Sequence, residues 1–128
     1  MDIHPGLAST AHLTVTDSDT AQAMGSGDVP VLATPRIVAL AEQAACAAVA
    51  GALEPGTTTV GAAVQLTHLT PTPVGRSVTA EVVLEAVEGR KLVFRVAVSD
   101  SRGLVAAGRV TRAIVGRDRC LERAAGEA

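Results

Sequence analysis

Aromatic side chains are nearly missing from this sequence of 128 residues, which contains one Phe, no Tyr and no Trp. Without them a protein lacks the platforms on which nucleic-acid bases stack and the cages that bind quaternary ammonium ligands. An excess of positive charge is missing too, because 19% of the residues are charged and the formal net charge is −2. Both absences argue against binding to nucleic acid.

Long apolar segments and cysteine frameworks are missing as well. The longest apolar run lies within residues 31–53 and is interrupted by Glu42 and Gln43, so no membrane span is expected. Residues 1–10 have neither the basic nor the apolar region of a signal peptide. Cys46 and Cys120 are far apart in the sequence, which predicts neither a disulfide framework nor a metal site. We therefore expect a protein of the cytoplasm that does not act at a membrane.

The length suits one domain with a hydrophobic core and is too short for two. We predict a single domain over residues 1–128, with frayed tails at residues 1–10 and 117–128. Residues 17–30 are polar and rich in glycine, which predicts a loop. Because this loop leads directly into the start of a long helix, it can cover whatever lies there.

The longest helical pattern extends from Val31 to Leu53. Thr34 followed by Pro35 predicts the N-cap and first turn of the helix, and Glu54–Gly56 predicts its end because proline and glycine interrupt helices. At 100° per residue, one stripe of the helix is apolar. The stripe comprises Ile37, Leu40, Ala41, Ala44, Ala48 and Ala52.

Alternating and β-rich runs predict strands over residues 11–16, 61–70, 77–87, 92–99 and 104–115. Glycine turns at residues 88–90 and 100–103 predict antiparallel hairpins, whereas Pro71 and Pro73 interrupt the strand pattern. The order of one strand, a long helix and a meander of four strands predicts an α+β fold. In this fold the helix lies across the concave face of an antiparallel sheet of about five strands. The uncovered edges and face favour a dimer.

Three side chains are candidates for chemistry, and each has a plainer explanation. Glu42 lies beside the apolar stripe with no cation three or four residues away. Its plainer explanation is a solvent-exposed residue at the flank of the helix. His68 shares a strand face with Val64, Leu66 and Thr70, as core histidines also do. Thr34 is at a helix start, where an oxyanion is stabilised, but an N-cap role also explains it. His4 and His12 share no ligand spacing with His68, so no metal is expected.

Four segments of the sequence together resemble a known family. They are VLATPRIVALAEQAACAAV, LEPGTTTVGAAVQLTHLTPTPVG, AVEGRKLVFRVAV and TRAIV. Over residues 31–115 the sequence resembles the fluoroacetyl-CoA thioesterase-like branch of the hot-dog fold proteins. The resemblance implies that one long helix is wrapped by the antiparallel sheet, and that Thr34, Glu42 and His68 hydrolyse an acyl-CoA thioester. It also implies that the Gly61 N–H faces the thioester oxygen and that Arg112 belongs to the active-site region.

The same resemblance implies a homodimer or a dimer of dimers with acyl-CoA bound between subunits, and no cofactor, since CoA is part of the substrate. Fluoroacetyl-specific members carry a bulky aromatic lid before the helix, whereas residues 25–30 of this sequence contain no aromatic residue. The expected activity is therefore general hydrolysis of small acyl-CoA thioesters. The alternatives are a non-catalytic acyl-binding protein and, third, a dehydratase, for which the His68 strand lacks a glycine-rich histidine–aspartate context. The acyl group, the choice between CoA and an acyl-carrier protein, and a covalent role for Glu42 or Thr34 stay open.

Overall fold

A five-stranded sheet and a long helix form the fold in the computed structural model, which describes residues 2–126. The elements in chain order are β1 (Ala8–Thr14), α1 (Ala21–Met24), α2 (Thr34–Val49), β2 (Thr57–His68), β3 (Ser77–Glu88), β4 (Lys91–Asp100), β5 (Gly103–Gly116) and α3 (Arg117–Ala125). The strands pair antiparallel in the order β1-β3-β4-β5-β2. The predicted α+β class is confirmed.

Strands β3, β4 and β5 form the predicted pair of hairpins. Buried and exposed residues alternate along β3 and β4, as expected of strands with one face on a core. Gly89 and Gly103 make the two turns with φ of +64° and +134°, which residues with a Cβ rarely adopt. The alternation of buried residues and the two glycine turns therefore specify the same pairing of β3 with β4 and of β4 with β5.

Strand β2 is not a neighbour of β3, so the prediction of a meander of four strands is wrong. It pairs with β5 at one edge of the sheet, while β1 pairs with β3 at the other. The connection of residues 69–76 contains Pro71 and Pro73, which lack the N–H groups that a hairpin to β3 would need. The chain crosses instead to the far side of the sheet, and residues 61–65 of the edge strand β2 are exposed.

Helix α2 packs against the sheet through small and branched side chains. Its buried residues are Ile37, Leu40, Ala41, Ala44, Ala45 and Val49. Ala45 and Val49 are buried in addition to the predicted stripe, whereas Ala48 is only partly buried against the core. Ala52 lies outside the α-helix, in a 3₁₀ turn at residues 50–52. Full burial of a residue such as Leu40 contributes about 1.5–3 kcal/mol, so this face holds the helix on the sheet.

Parts of both predicted tails have regular structure. Strand β1 begins at Ala8 and not at Ala11, because residues 8–10 pair with residues 81–83 of β3. Residues 117–125 form α3, while Met1 and residues 127–128 lie outside the described residues. Among residues 2–126, no helix has the length and apolar character needed to cross a membrane. In the same range, no group of three or more His, Cys, Asp or Glu side chains is arranged to hold a metal ion.

Candidate active site

The first half of the site is a hydrogen-bonded pair between the start of α2 and the end of β2. Thr34 Oγ1 lies 2.9 Å from His68 Nδ1, and His68 Nε2 lies 3.1 Å from the carbonyl oxygen of Thr70. A carbonyl oxygen only accepts, so Nε2 carries the proton. In the neutral imidazole Nδ1 is therefore the acceptor, and the hydroxyl of Thr34 donates to it. This geometry places an imidazole nitrogen that can accept a proton beside a hydroxyl group.

The prediction that Thr34 is the N-cap of the helix is wrong. Ala33 occupies the N-cap position in an extended conformation, and its carbonyl accepts from the N–H groups of Arg36 and Ile37. Thr34 is the first residue of α2, and its hydroxyl contacts the imidazole of His68 instead of the helix backbone. The side chain is therefore available for chemistry, because helix capping does not occupy it.

The second half of the site surrounds the carboxylate of Glu42. Arg112, on β5, reaches across the sheet and donates from Nη1 to Glu42 Oε2 over 2.6 Å. Its Nε donates to Thr59 Oγ1 over 3.0 Å and its Nη2 to the Thr59 carbonyl over 2.9 Å. Arg112 is only 7% exposed, so this ion pair is partly shielded from water. Two acceptors of Thr59 hold the guanidinium, and its Nη1 thereby orients the carboxylate of Glu42.

Gly61 lies directly beside this carboxylate. It is opposite Arg112 in the register of β2 and β5, and a bulge follows between Gly61 and Ala63. A Cβ atom built on Gly61 would clash with Oε2 of Glu42 and would lie 3.5 Å from Arg112 Nη1. Its φ is not in the left-handed region, so glycine is required here by the close approach of Glu42 and not by backbone strain.

Within one protomer the two halves are separate. Glu42 lines one surface cavity with residues 61–64, and His68 lines another with residues 69–71. The structure thus brings Thr34 to His68, and Glu42 to Gly61 and Arg112, but it does not join the two groups. Val64 is 44% exposed and Leu66 and His68 are half-buried, so the His68 face of β2 is open and not part of a closed core.

Sequence reasoning missed Thr59 and the role of the Thr70 carbonyl. Thr59 is buried and accepts two hydrogen bonds from Arg112, one through its hydroxyl and one through its backbone. The Thr70 carbonyl fixes the tautomer of His68. These contacts are made by two backbone carbonyls and one threonine hydroxyl, and no sequence motif marks such groups.

The segment before α2 is held at the helix start, close to Thr34. The predicted loop of residues 17–30 contains a 3₁₀ turn and α1, which is too short to show a helical period. Asp19 bonds to the N–H and hydroxyl of Thr16 and to Arg36 Nε over 3.0 Å, and its carbonyl accepts from the Ala33 N–H. Burial raises the pKa of Asp19, but these hydrogen bonds outweigh it and hold the pKa below its usual value of 3.8.

Comparison with proteins of known structure places this arrangement in a known fold. A solved structure of the fluoroacetyl-CoA thioesterase FlK superposes with a TM-score of 0.92 at 28% identity, covering 100% of this chain and 99% of that one. A hot-dog-like protein from Thermanaerovibrio acidaminovorans gives a TM-score of 0.88 at 25% identity, over 97% and 94% of the two chains. The predicted hot-dog fold is confirmed.

Sequence comparison gives the family. A relative from Streptantibioticus cattleyicolor, named fluoroacetyl-CoA thioesterase, is 40% identical over 85 residues, which are 66% of this chain. The match spans 61% of that relative, so less than two thirds of its length is covered. The family model described as FlK, fluoroacetyl-CoA-specific thioesterase, matches residues 15–118, which include every residue of both half-sites. By this match, the chain belongs to the fluoroacetyl-CoA-specific thioesterase family.

Proposed function

We propose that this protein hydrolyses a small acyl-CoA thioester to the free acid and CoA. The observation that carries the proposal is the Thr34–His68 pair, in which the hydroxyl lies 2.9 Å from Nδ1 and the opposite ring nitrogen, Nε2, donates to the Thr70 carbonyl. Such a pair is the working unit of acyl transfer by a hydroxyl nucleophile. The family supports the same chemistry, since its relatives are named for hydrolysis of fluoroacetyl-CoA.

Two routes through these residues give the same products. In one, Thr34 Oγ1 attacks the thioester carbonyl while its proton passes to His68 Nδ1. The C–S bond then breaks, the CoA thiolate takes that proton, and water hydrolyses the acyl-threonine by the same steps. In the other, Glu42 attacks the carbonyl or positions a water molecule, with His68 as base and acid. In both, the Gly61 N–H and the start of α2 would stabilise the oxyanion.

Glu42 is suited to the second route because only one of its oxygens is engaged. Oε2 pairs with Arg112, whereas Oε1 makes no hydrogen bond to any residue between 2 and 126. The free oxygen can contact the carbonyl carbon or a water molecule. Arg112 then acts as a positioning residue, since its contacts to Thr59 fix the direction of the carboxylate.

A homodimer would join the two half-sites, and we propose it as part of the function. Strand β2 is an edge strand with exposed residues 61–65, and pairing two such edges about a twofold axis satisfies their free backbone groups. Antiparallel pairing about a twofold axis at Gln65, with the bulge between Gly61 and Ala63 retained, sets Gly61 opposite the partner's His68. Glu42 of one protomer then faces the hydroxyl–imidazole pair of its partner across one cleft.

Hydrolysis of a panel of short acyl-CoA thioesters, read as release of free thiol, tests the reaction. We expect thiol release by the wild type and a loss of about 10²–10⁴-fold in Glu42→Ala and His68→Ala. His12→Ala, which changes an exposed histidine on β1, is the control and should keep wild-type activity. No thiol release by the wild type, with unchanged ligand binding in both variants, would mean an acyl-binding protein. An enoyl product without free CoA would mean a dehydratase.

The same panel tests substrate scope. Residues 25–30 carry no aromatic side chain that could close over a fluoroacetyl group, so we expect acetyl-CoA and fluoroacetyl-CoA to be hydrolysed within about tenfold of each other. A strong preference for fluoroacetyl-CoA would show that another part of the site supplies selectivity.

We place the reaction in the cytoplasm, where the free cysteines Cys46 and Cys120 stay reduced.

Mixing two inactive variants tests whether the site is shared between protomers. In a heterodimer of Glu42→Ala and His68→Ala, a shared arrangement leaves one of the two sites with both native residues. Random mixing should therefore restore about a quarter of wild-type activity, since half of the dimers are mixed and each has one intact site. No recovery in a mixture shown to contain heterodimers would place Glu42 and His68 of each site on one chain.

A further inference from the structure

A groove with three arginines lies on the side of β2 away from Glu42. Its cavity has a volume of about 540 Å³, and we call it the arginine groove. The residues that matter to its chemistry are Arg90, Arg119, Arg123, Gly116, Val60 and Val115. Arg90 comes from the β3–β4 turn and Arg119 and Arg123 from α3, so separate elements bring the three guanidinium groups to one cavity.

The charged residues that line this groove are all positive, since Asp118 and Glu122 of α3 lie outside its lining. No acidic residue lines it, and none of its three arginines forms an ion pair with any residue in the described range 2–126. Arg119 and Arg123 are four residues apart on one helix face, where like charges destabilise a helix by a few tenths of a kcal/mol. In a chain with a net charge of −2, such clustering of cations favours an anionic ligand.

The N-terminus of α3 adds a second source of positive charge to the arginine groove. Gly116 is the N-cap of this nine-residue helix and lines the groove, and no side chain caps the helix. The positive end of the helix dipole therefore points into a cavity that already contains three guanidinium groups. Phosphate groups bind at helix starts for this reason, and arginine recognises them with paired N–H donors.

The groove is connected to the candidate active site through one edge strand. Val60 lines the groove and precedes Gly61, and neighbouring residues of a strand face opposite sides of the sheet. Val115, three residues after Arg112 on β5, lies about 10 Å further along the strand. In the proposed pairing of β2 edges, residues 57–59 lie beyond the partner's His68. A long ligand can therefore pass over this edge from Glu42 to the groove.

We propose that the arginine groove binds the phosphates at the nucleotide end of CoA, with the thioester held at Glu42. The inference rests on the proposed thioesterase function and adds the subsite that would distinguish CoA from other acyl carriers. A cavity of this size suits a nucleotide. Val60 and Val115 offer an apolar surface for the base, while Arg90, Arg119 and Arg123 meet the phosphates.

The test compares a double variant, Arg119→Ala with Arg123→Ala, with the control Arg117→Ala. Both arginines of the double variant are exposed, and Arg117 is an exposed residue of the same helix that does not line the groove. We expect the double variant to raise KM for acyl-CoA by at least tenfold with kcat within twofold. The N-acetylcysteamine thioester of the same acyl group, which lacks the nucleotide, should show no change. Equal KM values for acyl-CoA in the wild type and both variants would overturn the proposal.

A binding measurement keeps this inference separate from the proposed function. Calorimetric titration with adenosine 3′,5′-bisphosphate needs no catalysis, and we expect at least tenfold weaker binding in the double variant and in Arg90→Ala than in Arg117→Ala. Binding that is equal in all four proteins would overturn the groove even if acyl-CoA is hydrolysed. Absence of hydrolysis with intact, arginine-dependent binding would overturn the enzyme and leave the groove. Binding of 4′-phosphopantetheine as tight as that of CoA would also overturn the nucleotide assignment.

Discussion

The start of α2 and its middle turn hold their polar side chains by different means. At the start, one hydrogen bond joins Thr34 to His68 and a second joins His68 to the Thr70 carbonyl, and both side chains are reached by solvent. In the middle, Glu42 is paired with a buried arginine that is itself bound to Thr59. The first arrangement sets a hydroxyl against an imidazole nitrogen without an ion pair. The second holds one carboxylate oxygen in place.

Under the proposed function, this difference assigns proton transfer to the start of α2 and positioning of the carboxylate to its middle. The hydroxyl of Thr34 can pass its proton to His68 without breaking an ion pair. This suits a base that must take up and release a proton in each catalytic cycle. The carboxylate of Glu42 is already oriented by Arg112, so substrate binding does not have to fix its direction. Substitutions at the start and in the middle of the helix should therefore have distinguishable consequences.

Replacement of Thr34 should give the largest effect on activity. Thr34→Ala removes the hydroxyl that donates to His68 Nδ1, and we expect thioester hydrolysis to fall by about 10²–10⁴-fold. Thr34→Ser keeps a hydroxyl and should retain most of the activity. Because Ala33 and not Thr34 is the N-cap, the melting temperature should change little in both variants. A loss of about 1 kcal/mol of stability, as expected for a lost cap, with activity preserved would contradict this assignment.

A substitution at Gly61 on β2 tests the position of Glu42 in the middle of α2. Gly61→Ala places a methyl group against Oε2 of Glu42 and must displace the carboxylate or the strand. We expect activity to fall by about 10²-fold, as misplacement by about 1 Å can cause. Gly51→Ala is the matched control, because a Cβ atom at Gly51 meets nothing within 4 Å. Wild-type kcat/KM in Gly61→Ala would show that the position of Glu42 does not matter to the reaction.

The start and the middle of α2 also differ in how well the sequence predicts them. The start of α2 at Thr34 follows from local chemistry, since a Thr–Pro pair marks a helix start within a few residues. The hairpins at Gly89 and Gly103 follow from alternation and turn residues in the same way. The partner of Glu42 does not, because Arg112 is seventy residues away and no period or spacing relates a helix to a particular strand.

The position of β2 shows the same limit at the level of topology. Its strand character is evident from the sequence, but its neighbour depends on where the chain goes after Pro71 and Pro73. The prolines exclude a hairpin without specifying the strand that β2 joins. Gly61 and Arg112 are opposite each other only because β2 pairs with β5, so the second half-site could be proposed from family resemblance and not from periodicity.

The smallest expected effect concerns the segment that is held beside Thr34. Asp19→Asn removes the charge that binds Arg36 and the Thr16 N–H, and we expect the free energy of unfolding at pH 7 to fall by about 1–3 kcal/mol. The pKa of Asp19 is lowered in the folded protein, so its stabilising contribution is fully present above pH 3.8. It is lost as the pH falls through the lower folded pKa.

Denaturant unfolding of the wild type and Asp19→Asn across pH 3–7 measures this contribution. The difference between the two proteins should be constant at neutral pH and should shrink once the pH falls below the usual pKa of an aspartate, because the wild-type side chain becomes protonated. Asp28→Asn, an exposed aspartate of the same segment, should leave stability within about 0.5 kcal/mol of wild type at every pH. A difference that persists undiminished at pH 3 would mean that the shape of the Asp19 side chain, and not its charge, holds the segment at the helix start. Thr34→Ala should leave this pH dependence unchanged, since its hydroxyl bonds to His68 and not to Asp19.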